Sequence, residues 1–201
     1  MSNRKDRIGT IRVGKLPPEF FALAADPIFW QAKAGELHRA ALVLARQFFE
    51  DMEALRAGLK ALDTGHVASL PSQPTSVLSQ FVLLAAFSLE NLFKGLVVYK
   101  EPNLVNDGKT AGILRSHDLL SLATRAEVTL SAEEHRFCVL ASSAAVYWGR
   151  YPVSNSADIS LQQSKISGHA VQAFDELFKR VTLLFEERFH TRTLQVPEQG
   201  A

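Results

Sequence analysis

Glu90-Asn91-Leu92-Phe93-Lys94 sets an acid four residues ahead of a base inside an otherwise apolar stretch. At helical spacing Glu90 and Lys94 share a face, with the acid on the N-terminal side, the favourable order for an ion pair. Two placements fit this spacing. One is an ordinary pair on an exposed edge. The other is a polar seam inside a bundle or a dimer interface, where a charge pair fixes orientation more than it adds stability. A second group joins His117 and Asp118, in Ser116-His117-Asp118-Leu119-Leu120, to Tyr147-Trp148-Gly149-Arg150-Tyr151-Pro152-Val153 further on. Arg150 falls at a helix C-terminus, where the dipole and the free carbonyls favour a cation. The same guanidinium, flanked by Tyr147, Trp148 and Tyr151, also suits an anion such as a phosphate. If its partner is internal, an acid such as Glu90 or Asp118 is the expected one.

Other chemistries lack their residues. There is no GxGxxG, Walker loop, HExxH, CxxC or GxSxG, and the six histidines (38, 66, 117, 135, 169, 190) are scattered without ligand spacing. No metal and no cofactor are therefore expected. The one cysteine, Cys138, cannot form an intrachain disulfide, which favours a reducing compartment, and its apolar surroundings predict a buried, inert thiol. The balance of 22 Lys+Arg against 21 Asp+Glu exerts no global pull toward nucleic acid or an anionic membrane. The only dense basic cluster (Arg4, Lys5, Arg7, Arg12, Lys15) reads as a solvated arm. The first fifteen residues have no apolar core of a signal peptide. The longest apolar stretch, residues 81–99, is interrupted by Ser88, Glu90, Asn91 and Lys94. It reads as a core helix and not as a membrane span, so a cytoplasmic protein is expected.

The elements that must position these residues are helices. Leu37, Ala41, Leu44, Phe48, Met52, Leu55, Leu59 and Leu62 recur every three or four residues, one apolar stripe on a long helix. Asp63-Thr64-Gly65-His66 ends it, with Gly65 as the left-handed stop. After a Ser/Pro-rich loop at 69–74, a second helix over about 75–99 is apolar on most of its circumference and belongs in the middle of a bundle. Asn106-Asp107-Gly108 predicts a turn. Ser116 is the expected cap of a short helix over 117–126. Ser131 and Glu134 form a capping box for a helix that ends by Pro152. In such an antiparallel pair His117 lies beside the middle of the longer helix and Arg150 projects beyond it. A last helix is expected over about 158–189. The expectation is an all-α, antiparallel bundle of about five helices around a central second helix. Residues 1–25 form an arm, 26–190 the bundle and 191–201 a tail.

The segments S-H-D-L-L-S-L (116–122), L-S-A-E-E (130–134) and W-G-R-Y-P-V (148–153), preceded by L-E-N-L-F-K-G-L (89–96), resemble the HEPN domain superfamily. The resemblance covers about residues 75–153. It implies an all-α homodimer in a prokaryotic stress, defence or toxin–antitoxin setting. Many members are metal-independent ribonucleases that carry an Arg followed four to six residues later by a His. No Arg here has a His at that spacing: Arg125 to His135 and Arg180 to His190 are too far apart, and Arg188 to His190 is too close. What remains is a non-catalytic module that dimerises and binds a protein partner, RNA or a nucleotide. The alternative is a ribonuclease using a non-standard set such as Arg150, His117 and Tyr151. The apolar surface of the first two long helices exceeds what the remaining segments can cover. Static light scattering at micromolar concentration is therefore expected to give twice the mass of one chain, and a monomer would remove this expectation.

Overall fold

Asp26 breaks the chain into two helices because Pro27 follows it. A residue before proline is pushed out of helical angles, and Asp26 is extended at φ −91, ψ 114. Its carboxylate accepts from Ile28 N at 3.0 Å, while Pro27 occupies a first-turn position that has no hydrogen bond to lose. The computed structural model describes residues 18–66, 69, 75–106, 109–147, 149–150 and 168–194. Among them are α1 (Pro18–Ala25), α2 (Pro27–Asp63), α3 (Leu78–Lys100), α4 (Leu119–Arg125), α5 (Ala132–Val146) and α6 (Gly168–Leu194). The class is all-α, as the periodicity predicts. The helix beyond the expected five is α1, formed by residues assigned above to the arm. Trp30 ties it down by donating from Nε1 to Ala24 O at 2.8 Å. The basic cluster at 4–15 and the 191–201 tail's end lie outside the described residues, as do 151–167, where the last helix was expected to begin.

α2 and α3 pack antiparallel. Ser88 Oγ donates to Ala34 O at 3.0 Å, and Gly95 sits against Trp30 and Pro27. Continued at one residue per residue, this register brings the start of α3 level with about residue 45 of α2. Ala34, Ala41 and Ala45 are the buried residues of α2, small enough for the two backbones to approach closely. Beyond Ala45, α2 continues for about 27 Å. The expected stripe is real as a face, but Leu59 and Leu62 at its far end are exposed because α3 does not reach them. Gly65 ends the segment in the left-handed region at φ 73.

α3 is the central helix. Fourteen of its residues are buried, and its flanks are α2, α4, α5 and α6. By length and composition it is apolar enough to cross a membrane, yet most of that apolar stretch is buried inside the protein. Phe81 of α3 meets Phe174 of α6 edge-on at 5.9 Å, and Phe174 stacks on Phe137 of α5 at 5.5 Å. The capping box is present: Ser131 Oγ accepts from Glu134 N, and Glu134 accepts from Ser131 N at 2.7 Å. Glu134 also receives Arg180 Nη2 on both oxygens at 2.9 Å, so one acid caps α5 and docks α6. Burial pushes Glu134 up, but the Ser131 and Arg180 hydrogen bonds outweigh it and hold the carboxyl below its ordinary range.

Between α3 and α4, Val105–Asn106 pairs antiparallel with Lys109–Thr110, and Asp107 and Gly108 of the expected turn lie outside the described residues. Period-2 patterning cannot reveal a ladder this short. The start of α3 falls at Leu78 and not near residue 75, and α4 is two residues shorter at its start than expected.

Gly95 marks the tightest crossing. A Cβ there would lie 3.1 Å from Trp30 Cβ, 3.2 Å from Phe185 Cε2 and 3.4 Å from Pro27 O. Overpacking costs about 1–3 kcal/mol, against a helix-propensity gain of about 1 kcal/mol for Gly to Ala. Gly95→Ala is expected to lower the urea midpoint. Gly35→Ala in α2, whose Cβ would meet nothing within 4 Å, is expected to raise it.

Candidate functional site

Leu83, Phe87, Glu90 and Lys94 recur at helical spacing and share one face of α3. The Glu90 and Lys94 side chains on it are only 8% and 5% exposed. Of the two placements open to this pair, the structure has the buried one. Lys94 Nζ donates to Glu90 Oε1 at 2.6 Å, and His117 Nδ1 meets Glu90 Oε2 at 2.8 Å. Burying an ion costs several kcal/mol unless a counter-charge and hydrogen bonds accompany it. Here the counter-charge comes from the same helix one turn on, and the second oxygen is satisfied by a side chain from the next element.

A carboxylate oxygen only accepts, so the Nδ1 that faces it carries a hydrogen. Nε2 of His117 is then the nitrogen with the lone pair, and it makes no hydrogen bond among the described residues. The imidazole is 40% exposed and lies 6.1 Å from the Phe87 ring. The result is a line Lys94–Glu90–His117 that runs from the core to the surface.

Local structure fixes His117 at this point. Asp118 is the N-cap of α4, in place of the expected Ser116. Its Oδ1 accepts from Leu120 N at 3.0 Å and Ser121 N at 3.3 Å, and its Oδ2 accepts from Ser121 Oγ at 2.6 Å. The Ser121 hydroxyl chiefly holds this carboxyl below its ordinary range. Ser116 instead accepts from Asp118 N at 3.1 Å and shapes the turn that delivers His117. Leu119 N donates to Ser142 Oγ at 2.9 Å, and that hydroxyl donates to Cys138 O at 2.8 Å. The start of α4 is thereby pinned to α5 at Ser142. Cys138 itself is buried, and burial pushes its thiol up to about 12.

Arg150 is exposed just past α5, its N–H donating to Tyr147 O at 3.1 Å. Gly149 before it packs on the same α3 face: a Cβ there would lie 2.7 Å from Ala144 O and 3.0 Å from Leu83 Cβ. Leu83 is seven residues from Glu90, about 10 Å along the helix. Glu90 is hydrogen-bonded to Lys94 and His117, and Asp118 to its own helix. Asn91 lies beside the relay and donates from Nδ2 back to Phe87 O at 2.7 Å. Trp148 and Tyr151 lie outside the described residues.

One histidine escaped the sequence reading. His38 Nε2 of α2 meets Asp175 Oδ1 of α6 at 2.9 Å, and its ring stacks on Phe178 at 3.9 Å and 9°. Lys179 Nζ holds the other Asp175 oxygen at 2.6 Å. The partners stand 137 residues apart. The only local signal was that each adjoins an apolar residue of its helix, Leu37 and Phe174. A groove of about 600 Å³ along the end of α3 and α4 is also present. It is edged by the ion pairs Lys100–Glu127 and Arg125–Glu101, which cancel each other's charge.

No family model, curated protein or solved structure matches the chain.

Burial pushes His38 below the ordinary histidine value of 6.5, against the opposing pull of Asp175. Below pH 6.5 the unfolded chain therefore binds a proton that the folded protein resists. The stability this group contributes is complete above that pH and declines as pH falls toward the folded value. Urea denaturation from pH 8 to 5 is expected to show that decline, and His38→Gln to flatten it. Loss of stability confined to below pH 4 would assign the effect to carboxylates instead.

Proposed function

We propose that this chain is a HEPN-like helical module that dimerises and binds RNA or a nucleotide without cleaving it, in a cytoplasmic prokaryotic stress, defence or toxin–antitoxin setting. The observation that carries the reading is the Lys94–Glu90–His117 line, which brings a partly exposed imidazole to the surface, while the exposed Arg150 follows Gly149, which packs on the same face of α3. A guanidinium suits a phosphate through its planar, forked donors. A histidine held from behind suits the polar groups beside that phosphate. This polar pairing favours a nucleic acid or nucleotide over a protein partner, whose interface core is depleted in charge. The absent Arg–His spacing argues against cleavage.

A second reading, a metal-independent ribonuclease, has one observation in its favour. A histidine whose Nδ1 is held by a carboxylate is arranged as a general base.

A fluorescein-labelled oligoribonucleotide in EDTA separates the two. Anisotropy is expected to show binding, Arg150→Ala to weaken it about tenfold, the order of one charge-assisted hydrogen bond, and gels to show the RNA intact. A lower melting temperature for Arg150→Ala with unchanged binding would assign Arg150 to a structural pair. Cleavage that disappears in His117→Ala would replace the binding reading with the ribonuclease.

A further inference from the structure

We propose that the half of α2 lying beyond α3 is the docking surface for a second copy of this chain, whose own α2 runs antiparallel along it, so that the two bundles stand at opposite ends of a short two-helix coil. The inference rests on the dimerisation in the function proposed above and adds the surface, the orientation and the register.

The first observation is one seam that changes size along its length. From Ala45 the chain steps in alternating threes and fours through Phe48, Met52, Leu55, Leu59 and Leu62. Followed backwards, the same spacing reaches Ala41, His38 and Ala34. A sustained period of 3.5 residues is the a/d seam of a coiled coil. Where α3 lies against α2, the alanines of the seam are buried and let the two backbones come close. From residue 48 onward the seam residues are all large, and Leu59 and Leu62 are exposed. α6 does not extend the cover. Its Phe174 and Phe185 face Phe81 and Gly95, so it runs parallel to α3 and begins about level with α3's start. The bulky half of the seam fits a helix that the described helices of this bundle do not supply.

The second is length and direction. α2 is one continuous helix. A parallel second copy seated on residues 48–62 would drive its first half into the space that α3 occupies. An antiparallel copy carries its bundle away past the far end instead. The vacancy runs from the level where α3 begins to the tip of α2, so it is as long as the overhang itself. Each free half therefore fills the other's seam. The first half of α2 is already held helical by the core, so the short coil does not bear the cost of nucleating its own helices.

The third is charge, which selects the register. Antiparallel seams set a positions against d positions. One register places Phe48 opposite Leu59 of the second copy, Met52 opposite Leu55 and Ala45 opposite Leu62, so every seam residue from 45 to 62 has a partner. Its flanks set Arg56 of each copy beside Phe49 of the other, a guanidinium against an aromatic ring, twice by symmetry. Sliding the copies apart by one heptad leaves Phe48 uncovered and sets the two Arg56 side chains against each other, a repulsion that flanking positions of a coiled coil avoid.

The test uses the full chain. Leu59→Glu changes a side chain that is 47% exposed in the single chain, so its circular dichroism is expected to match the wild type. Light scattering at micromolar concentration is expected to give twice the mass of one chain for the wild type and a single mass for Leu59→Glu. Sedimentation is expected to show dimerisation weakened at least about a hundredfold, since each copy loses a central apolar anchor. Orientation is read by cross-linking. Phe48→Cys and Leu59→Cys proteins, mixed and oxidised, are expected to form a disulfide-linked dimer, and neither is expected to do so alone. Cys138 is buried and does not compete.

A wild-type monomer overturns the dimerisation and this surface together. A wild-type dimer that Leu59→Glu leaves intact overturns this surface and leaves the dimerisation standing. Cross-linking of Phe48→Cys with itself overturns the antiparallel arrangement.

Discussion

A helix of 23 residues that is apolar on nearly every side must be covered on every side, and the rest of this chain is arranged to do so. The buried residues Phe81, Phe93, Val97 and Val98 stand on different sides of α3, and α2, α4, α5 and α6 cover them between them. α2 comes close because its facing residues are alanines, and α6 comes close because Gly95 has no side chain to hold Phe185 away. The remaining side falls to α4 and α5, which are short and need anchors of other kinds. Their anchors are polar: Ser142 holds the start of α4, and Glu134 holds α6 through Arg180. Apolar packing thus sets which helices surround α3, while a few directional hydrogen bonds set where the short ones stop.

Against that background Glu90 and Lys94 are costly residues. They are charged groups in the helix that is least able to tolerate charge. An i, i+4 pair is the least demanding way to bury two charges, since both partners come with the same backbone. The pair still leaves one carboxylate oxygen to satisfy, and that requirement draws His117 into place. The candidate site follows from the core's need to complete a hydrogen bond.

The helices were readable because their signals are local. Stripes of three- and four-residue spacing, the Ser131–Glu134 box and Gly65 each act within a few residues, and the structure has all of them. α1 was missed because residues 1–25 were assigned to an arm, although Pro18 is at home in the first turn of the helix it starts. The cap of α4 was placed on Ser116 because two capping residues stand within three positions. Backbone geometry, and not residue type, chose Asp118. In the site, Glu90 and Lys94 could be paired from spacing alone, but not their burial, which depends on which side of α3 the later helices cover. The His117–Glu90 bond joins residues 27 apart and the His38–Asp175 bond residues 137 apart. Contacts of that range leave no pattern in a single sequence.

The unequal lengths of α2 and α3 have a mechanical consequence. One end of α2 is clamped in the core by Ala34, Ala41 and Ala45, and the other reaches about 27 Å past the level where α3 begins. A rigid rod held at one end is a lever. Tilting it by roughly 10° at the clamp sweeps its tip through about 5 Å over that length. A small repacking around the three alanines would therefore be magnified at Leu59 and Leu62, far from the place where it began.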